Sequence, residues 1–186
     1  MSHLQLSAKW QFENDDTCSH NTPSMLLCTL NTRSLKPHIN DITNDYDIMS
    51  SDIICIQEVH MQILKINDEF QHFNNFNAYH IHGIMTLANK TLVISKIKKK
   101  NTTNIESITI TTLIKSNELN ICNLYARPNT PIEEYATIVQ QVIAYVKPMT
   151  NLYIVGDFNI YMSIKNAKKE NLEKYMQYYN MNYIAE

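Results

Sequence analysis

Apolar residues recur along this chain in two rhythms, and the switches between them mark the elements. Met25-Leu-Leu-Cys-Thr-Leu30 is a short apolar run suited to a buried strand, with Asn31 where that strand ends. Leu35, Ile39, Ile42, Tyr46 and Met49 follow at spacings of four and three, which predicts one helix face, with Pro37 tolerated in its first turn. Asp52-Ile-Ile-Cys-Ile-Gln57 predicts a second buried strand that delivers Glu58 at its carboxyl end. From Asn77 the pattern changes to short strands over 79–81, 84–87 and 92–95. Ile108, Ile110, Thr112 and Ile114 alternate at period two, and 119–125 reads as one more strand.

Thr130-Pro-Ile-Glu133 then predicts a helix opened by a capping box, with Ile132, Ala136, Val139, Ile143 and Val146 on its buried face. Leu152-Tyr-Ile-Val155 predicts a further buried strand ending in Gly156-Asp-Phe-Asn159, and 171–179 a last amphipathic segment. Residues 1–24 are polar and aperiodic apart from Trp10 and read as an N-terminal extension. With no internal repeat and no long linker, one domain is expected over 25–186.

Composition narrows the chemistry. The 186 residues include two glycines, where an average chain of this length has about 13. Neither a dinucleotide-binding G-x-G-x-x-G nor a phosphate loop of the G-x-x-x-x-G-K-[ST] type can be written with two. The excess of Asn (22) and Ile (24) has a bland source in biased codon usage, so position must carry the functional argument. A hydrophobic fraction of 44% and a net charge of −2 are unlike a disordered chain.

Cys18, Cys28, Cys55 and Cys122 are scattered without a C-x-x-C pair, and three of them sit in apolar runs, which suggests free thiols and an intracellular setting, nuclear or cytoplasmic. No apolar stretch approaches the 18 or so residues needed to span a bilayer. Lys96, Lys98, Lys99 and Lys100 form one basic cluster, expected as a solvated loop between strands and offering weak support for nucleic-acid binding.

Three predicted strands end in polar residues: Asn31, the pair Gln57-Glu58, and Asp157 with Asn159. In layered α/β proteins sites form beyond the carboxyl ends of strands, so these side chains can converge although they lie far apart in sequence. Oxygen-only ligands suit a hard cation such as Mg²⁺ better than zinc. Taken singly, each residue is ordinary, since Gly-Asp-x-Asn is a common turn and Asn is abundant here. Their joint placement at strand ends is the signal.

Four strings make a resemblance specific: Leu30-Asn-Thr-Arg-Ser-Leu35, Ile54-Cys-Ile-Gln-Glu-Val-His60, Leu124-Tyr-Ala-Arg-Pro-Asn129 and Ile154-Val-Gly-Asp-Phe-Asn159. In this order the chain resembles the endonuclease/exonuclease/phosphatase superfamily, most of all the endonuclease domains of non-LTR retrotransposons and related mobile elements. The resemblance implies a layered α/β sandwich of two mixed β-sheets flanked by helices, DNase I-like, acting on DNA with Mg²⁺, or Mn²⁺ in its place.

By the same resemblance Glu58 is the principal metal ligand, and Asn31 supports metal and phosphate. Asp157 orients or deprotonates the attacking water, Asn159 contacts the scissile phosphate and helps place Asp157, and Tyr125 donates to a phosphate oxygen. Arg127 with Lys96, Lys98, Lys99 and Lys100 would meet the nucleic acid. Gly83 stands where family members carry glycine before a strand, and the pair His80 and His82 reads as structural rather than as a metal site. Family members continue to a terminal Ser-Asp-His strand, whereas this sequence ends at Glu186, 29 residues past Asp157. The resemblance thus implies a sheet lacking its last strands, completed by a C-terminal continuation or a partner chain. A nicking endonuclease, an inactive nucleic-acid-binding remnant and a phosphatase for small phosphorylated molecules all fit this reading.

Overall fold

The computed structural model describes residues 5–12, 25–60, 70–114, 117–146, 150–160, 167–179 and 181. Two β-sheets lie face to face. The first pairs β1 (Gln5–Phe12), β2 (Met25–Asn31), β3 (Ile53–Gln57), β4 (Phe76–Ile81) and β5 (Ile84–Asn89) in the order β1-β2-β3-β5-β4. The second pairs β6 (Ile94–Asn101), β7 (Ile105–Ile114), β8 (Asn117–Ala126) and β9 (Asn151–Asp157) in that order. Both are mixed, because β2 runs parallel to β3 and β8 parallel to β9 while their other neighbours are antiparallel.

The short helices α1 (Ile39–Asn44) and α2 (Tyr46–Met49) cover the first sheet, and α3 (Ile132–Tyr145) covers the second, with α4 (Ala167–Tyr178) against α3. Ile53, Ile84, Ile108, Ile110, Leu119 and Ile121 fill the layer between the sheets. The result is the α/β sandwich of two mixed sheets that the family resemblance implies. Among the described residues no helix is long and apolar enough to cross a membrane.

A buried polar seam ties the sheets together. Gln57 Nε2 donates to Asn123 Oδ1 at 2.7 Å, and Asn123 Nδ2 donates to the Met85 carbonyl at 2.8 Å. Gln57 and Thr29 also bond side chain to side chain across β2 and β3. Such a network pairs every amide without charge, so it fixes how the sheets align at little desolvation cost. Cys28, Cys55 and Cys122 are buried in the interior strands β2, β3 and β8, and none of them is in a disulfide among the described residues. Burial pushes the Cys122 thiol up to about 11 and the Cys55 thiol well above its ordinary value.

Four sequence expectations are corrected. The fold does not begin near Met25, because Gln5–Phe12 pairs antiparallel with β2 around a bulge between Leu6 and Ala8. Leu6, Ala8, Trp10 and Phe12 alternate with polar residues, a period-two signal masked by its low apolar density. The helix expected through Met49 breaks at Asp45, whose extended backbone lets its carboxylate accept from Ile48 N at 3.0 Å and start α2 afresh. The break rotates Tyr46 out to 84% exposure and brings Ile48 in at 4%.

The capping box before α3 does not form. Pro131 occupies the cap position, and the Thr130 hydroxyl donates to the Arg127 carbonyl instead. The lysine cluster is not a loop either: Lys96 to Lys100 lie within β6, the edge strand of the second sheet among the described residues. Charged side chains on an edge strand discourage pairing with other chains.

Candidate active site

The parallel pairs β2/β3 and β8/β9 point their carboxyl ends at one rim of the sandwich, and the polar residues predicted from the sequence meet there. Asn31, the last residue of β2, donates through Nδ2 to Glu58 Oε1 at 3.0 Å and to Asp157 Oδ2 at 2.8 Å. One amide thus links carboxylates delivered by different sheets. Its carbonyl oxygen accepts from Arg33 N at 3.1 Å, which turns the amide so that its donors face the carboxylates.

Glu58 holds a left-handed backbone, φ +54°, that costs a non-glycine residue about 1 kcal/mol or more. The neighbouring peptides enforce it. Thr32 donates its N–H and its hydroxyl to the Gln57 carbonyl, Val59 N donates to the Gly83 carbonyl at 2.8 Å, and Leu35 N donates to the Val59 carbonyl at 3.0 Å. Glu58 is consequently aimed by ties on both sides of it rather than by its own preference.

On the second sheet Asp157 closes β9 with Gly156 before it. Gly156 has φ +131°, and a Cβ there would lie 1.9 Å from the Leu124 carbonyl oxygen of β8. Only glycine fits this close strand approach. Past the strand, Asn159 N donates to Asp157 Oδ1 at 2.8 Å, and Asn159 Nδ2 donates to the Ala126 carbonyl at 2.7 Å and more weakly to Asp157 Oδ2 at 3.3 Å. Both donors of this side chain are engaged within the protein, so what the geometry shows for Asn159 is placement of Asp157.

Tyr125 pairs in register with Asp157, Glu106 with Tyr125, and Asn101 with Glu106, a row of four across the end of the second sheet. Burial is the main force raising the Tyr125 phenol, helped by Glu58 and Asp157 and opposed by Arg127. It therefore stays a hydrogen-bond donor. Burial also raises the Asp157 carboxyl, with Glu58 adding to the effect while the Asn159 N–H and the Asn31 amide pull it back. A carboxylate held in that balance is a stronger base than a solvated one.

The predicted contacts separate into two groups. Asn31, Glu58, Tyr125, Asp157 and Asn159 come together, with exposed Arg127 just past Tyr125. Lys96, Lys98, Lys99 and Lys100 do not join them: β6 lies three strand spacings, about 14 Å, from β9. Lys100 sits one residue from the row that contains Asp157, and Lys98 Nζ stands 4.9 Å over the Tyr145 ring of α3. Gly83 donates its N–H to buried Glu106 at 2.7 Å, which explains a small residue there. His80 and His82 part company, His82 meeting Asn101 while His80 faces Lys99.

Among the described residues no three His, Cys, Asp or Glu side chains gather as a metal centre. The donors that do meet fit a hard cation even so. They are oxygens, Glu58 and Asp157 are near enough to repel, and such ions are held by one or two carboxylates with waters completing the shell.

Tyr135 is the residue that sequence periodicity missed. It lies on α3 at 1% exposure, stacks on Phe158 with ring centroids 6.5 Å apart, and donates its hydroxyl to the Phe158 carbonyl. The buried face of α3 is Tyr135, Ala136, Ile138, Val139 and Val142, rotated from the expected one because Tyr135 anchors it.

No protein-family model and no curated protein matches the sequence. Solved structures do match the fold. The endonuclease domain of TRAS1, a telomere-specific non-LTR retrotransposon, superposes with a TM-score of 0.68 at 16% identity, covering 88% of this chain and 76% of that one. Sphingomyelinase C from Streptomyces griseocarneus gives 0.65 at 10% identity, over 83% and 70% of the two chains. An endonuclease/exonuclease/phosphatase family protein from Leptotrichia buccalis gives 0.62 at 14%, over 81% and 72%. Of several further solved chains this one spans less than two thirds of the length. The chain has the DNase I-like fold shared by the endonuclease/exonuclease/phosphatase proteins, and its resemblance to a retrotransposon endonuclease holds in three dimensions.

Proposed function

We propose that this chain is a divalent-metal-dependent phosphodiesterase acting on DNA, a nicking endonuclease domain of the mobile-element type. The observation that carries the reading is the single Asn31 amide bonded to Glu58 from one sheet and to Asp157 from the other. Hydrolysis of a phosphodiester needs a positioned water, a base and donors for the charge that develops on phosphoryl oxygens. Asp157, made more basic by burial, accepts the proton of the water. Asn31 and the Asn159 N–H keep its carboxylate oriented, and the protonated Tyr125 hydroxyl donates to a phosphate oxygen. Glu58 would hold Mg²⁺ or Mn²⁺, and Asn31 would join it as a ligand with its amide turned over, since its Oδ1 here accepts from Arg33 N; the ion's contribution when bound is neutralisation of charge at the phosphoryl oxygens.

DNA as substrate is supported by exposed Arg127 beside Tyr125, while Lys96, Lys98, Lys99 and Lys100 on β6 would meet a nucleic acid that extends beyond the site. Among the described residues nothing pairs with the outer edge of β9, and a segment from a continuation or a partner chain would complete the sheet there.

Conversion of supercoiled plasmid to nicked circles with Mg²⁺ tests the reading. Glu58→Gln and Asp157→Ala should each lower the rate by about 10²-fold or more. EDTA should abolish nicking and added Mg²⁺ restore it. Equal activity in all three proteins would remove the assigned site, and salt-sensitive DNA binding without turnover would leave a binding module. The likeness to sphingomyelinase C favours a second reading, a small phosphorylated substrate. Turnover of an aryl phosphodiester without plasmid nicking would support it.

A further inference from the structure

We infer that Tyr135 is a positioning residue for Asp157, acting through the one peptide unit that joins Phe158 to Asn159. The carbonyl of that unit accepts the Tyr135 hydroxyl, and its N–H, belonging to Asn159, donates to Asp157 Oδ1 at 2.8 Å. Because a peptide unit is planar and rigid, holding its oxygen fixes the direction of its hydrogen. Accepting a bond at the carbonyl also polarises the amide and strengthens the N–H as a donor, as in any hydrogen-bonded chain. The helix α3 thereby reaches the carboxylate without touching it.

Three further features fit a clamp. Asn159 holds φ +48°, the left-handed backbone that asparagine tolerates better than most residues, and this turn brings its N–H onto Asp157. The Tyr135 and Phe158 rings stack, interplanar angle 13°, so the hydroxyl and the carbonyl it meets are set by the same packed pair. Burial, with smaller contributions from Asp157 and Glu134, pushes the Tyr135 phenol up to about 12 against an opposing bond from Thr130, so the group remains a donor throughout the neutral range.

The consequence for turnover rests on the phosphodiesterase reading, whereas the clamp itself does not. Tyr135→Phe keeps the ring and removes the donor. By ¹H–¹⁵N exchange on the full chain, the Asn159 amide should lose protection by about tenfold, the scale of one net hydrogen bond. Tyr145→Phe, on the same helix but distant from the turn, should leave it unchanged. With supercoiled plasmid and Mg²⁺, kcat of Tyr135→Phe should fall by about ten- to a hundredfold with KM nearly constant, as for a misplaced catalytic group.

Wild-type protection at Asn159 in Tyr135→Phe would overturn the inference. So would a loss of protection spread evenly over α3 and β9, which marks a merely structural role. If Asp157→Ala nicks as well as the parent, or the parent does not nick, the phosphodiesterase reading fails while the Asn159 amide still decides the clamp.

Discussion

The two rims of the sandwich are built from the same sheets and behave differently. At the carboxyl rim Arg33, Glu58, His60, His82, Asn129 and Asn159 all take positive φ, each in a loop just past a strand. At the opposite rim, where α2 leads into β3 and β5 into β6, no described non-glycine residue does. There Asp52 makes an ordinary reciprocal join, its carboxylate accepting Leu26 N at 2.8 Å and its own N–H donating to the Leu26 carbonyl. Backbone strain is thus confined to the end that gathers the carboxylates. The relaxed rim and the buried seam offset what the strained rim gives up, and strain that surrounding structure imposes is how a site fixes side chains in advance of a ligand.

The strongest way to break this contrast is Gly156→Val, because the residue stands between the seam at Asn123 and the rim at Tyr125. The 1.9 Å approach to Leu124 leaves no room, so β9 must separate from β8. A loss of about 4 kcal/mol or more in chemical denaturation is expected. A fold that tolerates valine there would show that the strand approach does not govern the rim. Next in size, Asp52→Ala at the relaxed rim should cost about 1.5 kcal/mol of stability and leave nicking intact. Lost nicking would mean that the rims are coupled.

His60→Gly addresses the strain itself. At φ +46° on an exposed residue, glycine should raise stability by about 1 kcal/mol, read from the urea midpoint. No gain would argue that the loop is not strained. The smallest effect is the pH dependence of Asp157→Asn in metal-free buffer. Burial, then Glu58, raises the Asp157 carboxyl in the folded state. A group raised on folding stabilises the protein below its unfolded value and loses that contribution as pH rises through the folded one. Asparagine forfeits one acceptor at every pH, so the readout is the trend: the variant should gain stability relative to the parent as pH rises from the acid range to 7. A relative loss over that rise would reverse the sign assigned to the site.

Much of the rim was legible in sequence because polar residues interrupt apolar strands where the strands stop. Asn31, Glu58 and Asp157 are conspicuous for that reason, and Gly156 stands in a Gly-Asp-x-Asn string that reads as a turn, though nothing in that string tells of its close approach to Leu124. Asn159 was legible as a neighbour of Asp157, but not that both its side-chain donors are engaged. Tyr135 was illegible, since on a helix an aromatic reads as core and its hydroxyl partner lies 23 residues away. The break at Asp45 is invisible to periodicity, which measures the apolar face, whereas here a carboxylate competing for Ile48 N decides the register. The lysines of β6 resemble a loop in sequence because charge outweighs β-propensity there, although an edge strand accepts both.

The three interior thiols give the molecule a chronometer. Cys28, Cys55 and Cys122 lie in adjoining strands of the two facing sheets, and both Cys55 and Cys122 are held strongly protonated. A maleimide or a disulfide reagent reacts with thiolate, so each sulfur must reach water and ionise before it is labelled. Labelling at Cys28 and Cys55 times the opening of the first sheet, and labelling at Cys122 times the second. Equal rates would mean that the sandwich comes apart as one unit, and unequal rates would identify the sheet that yields first.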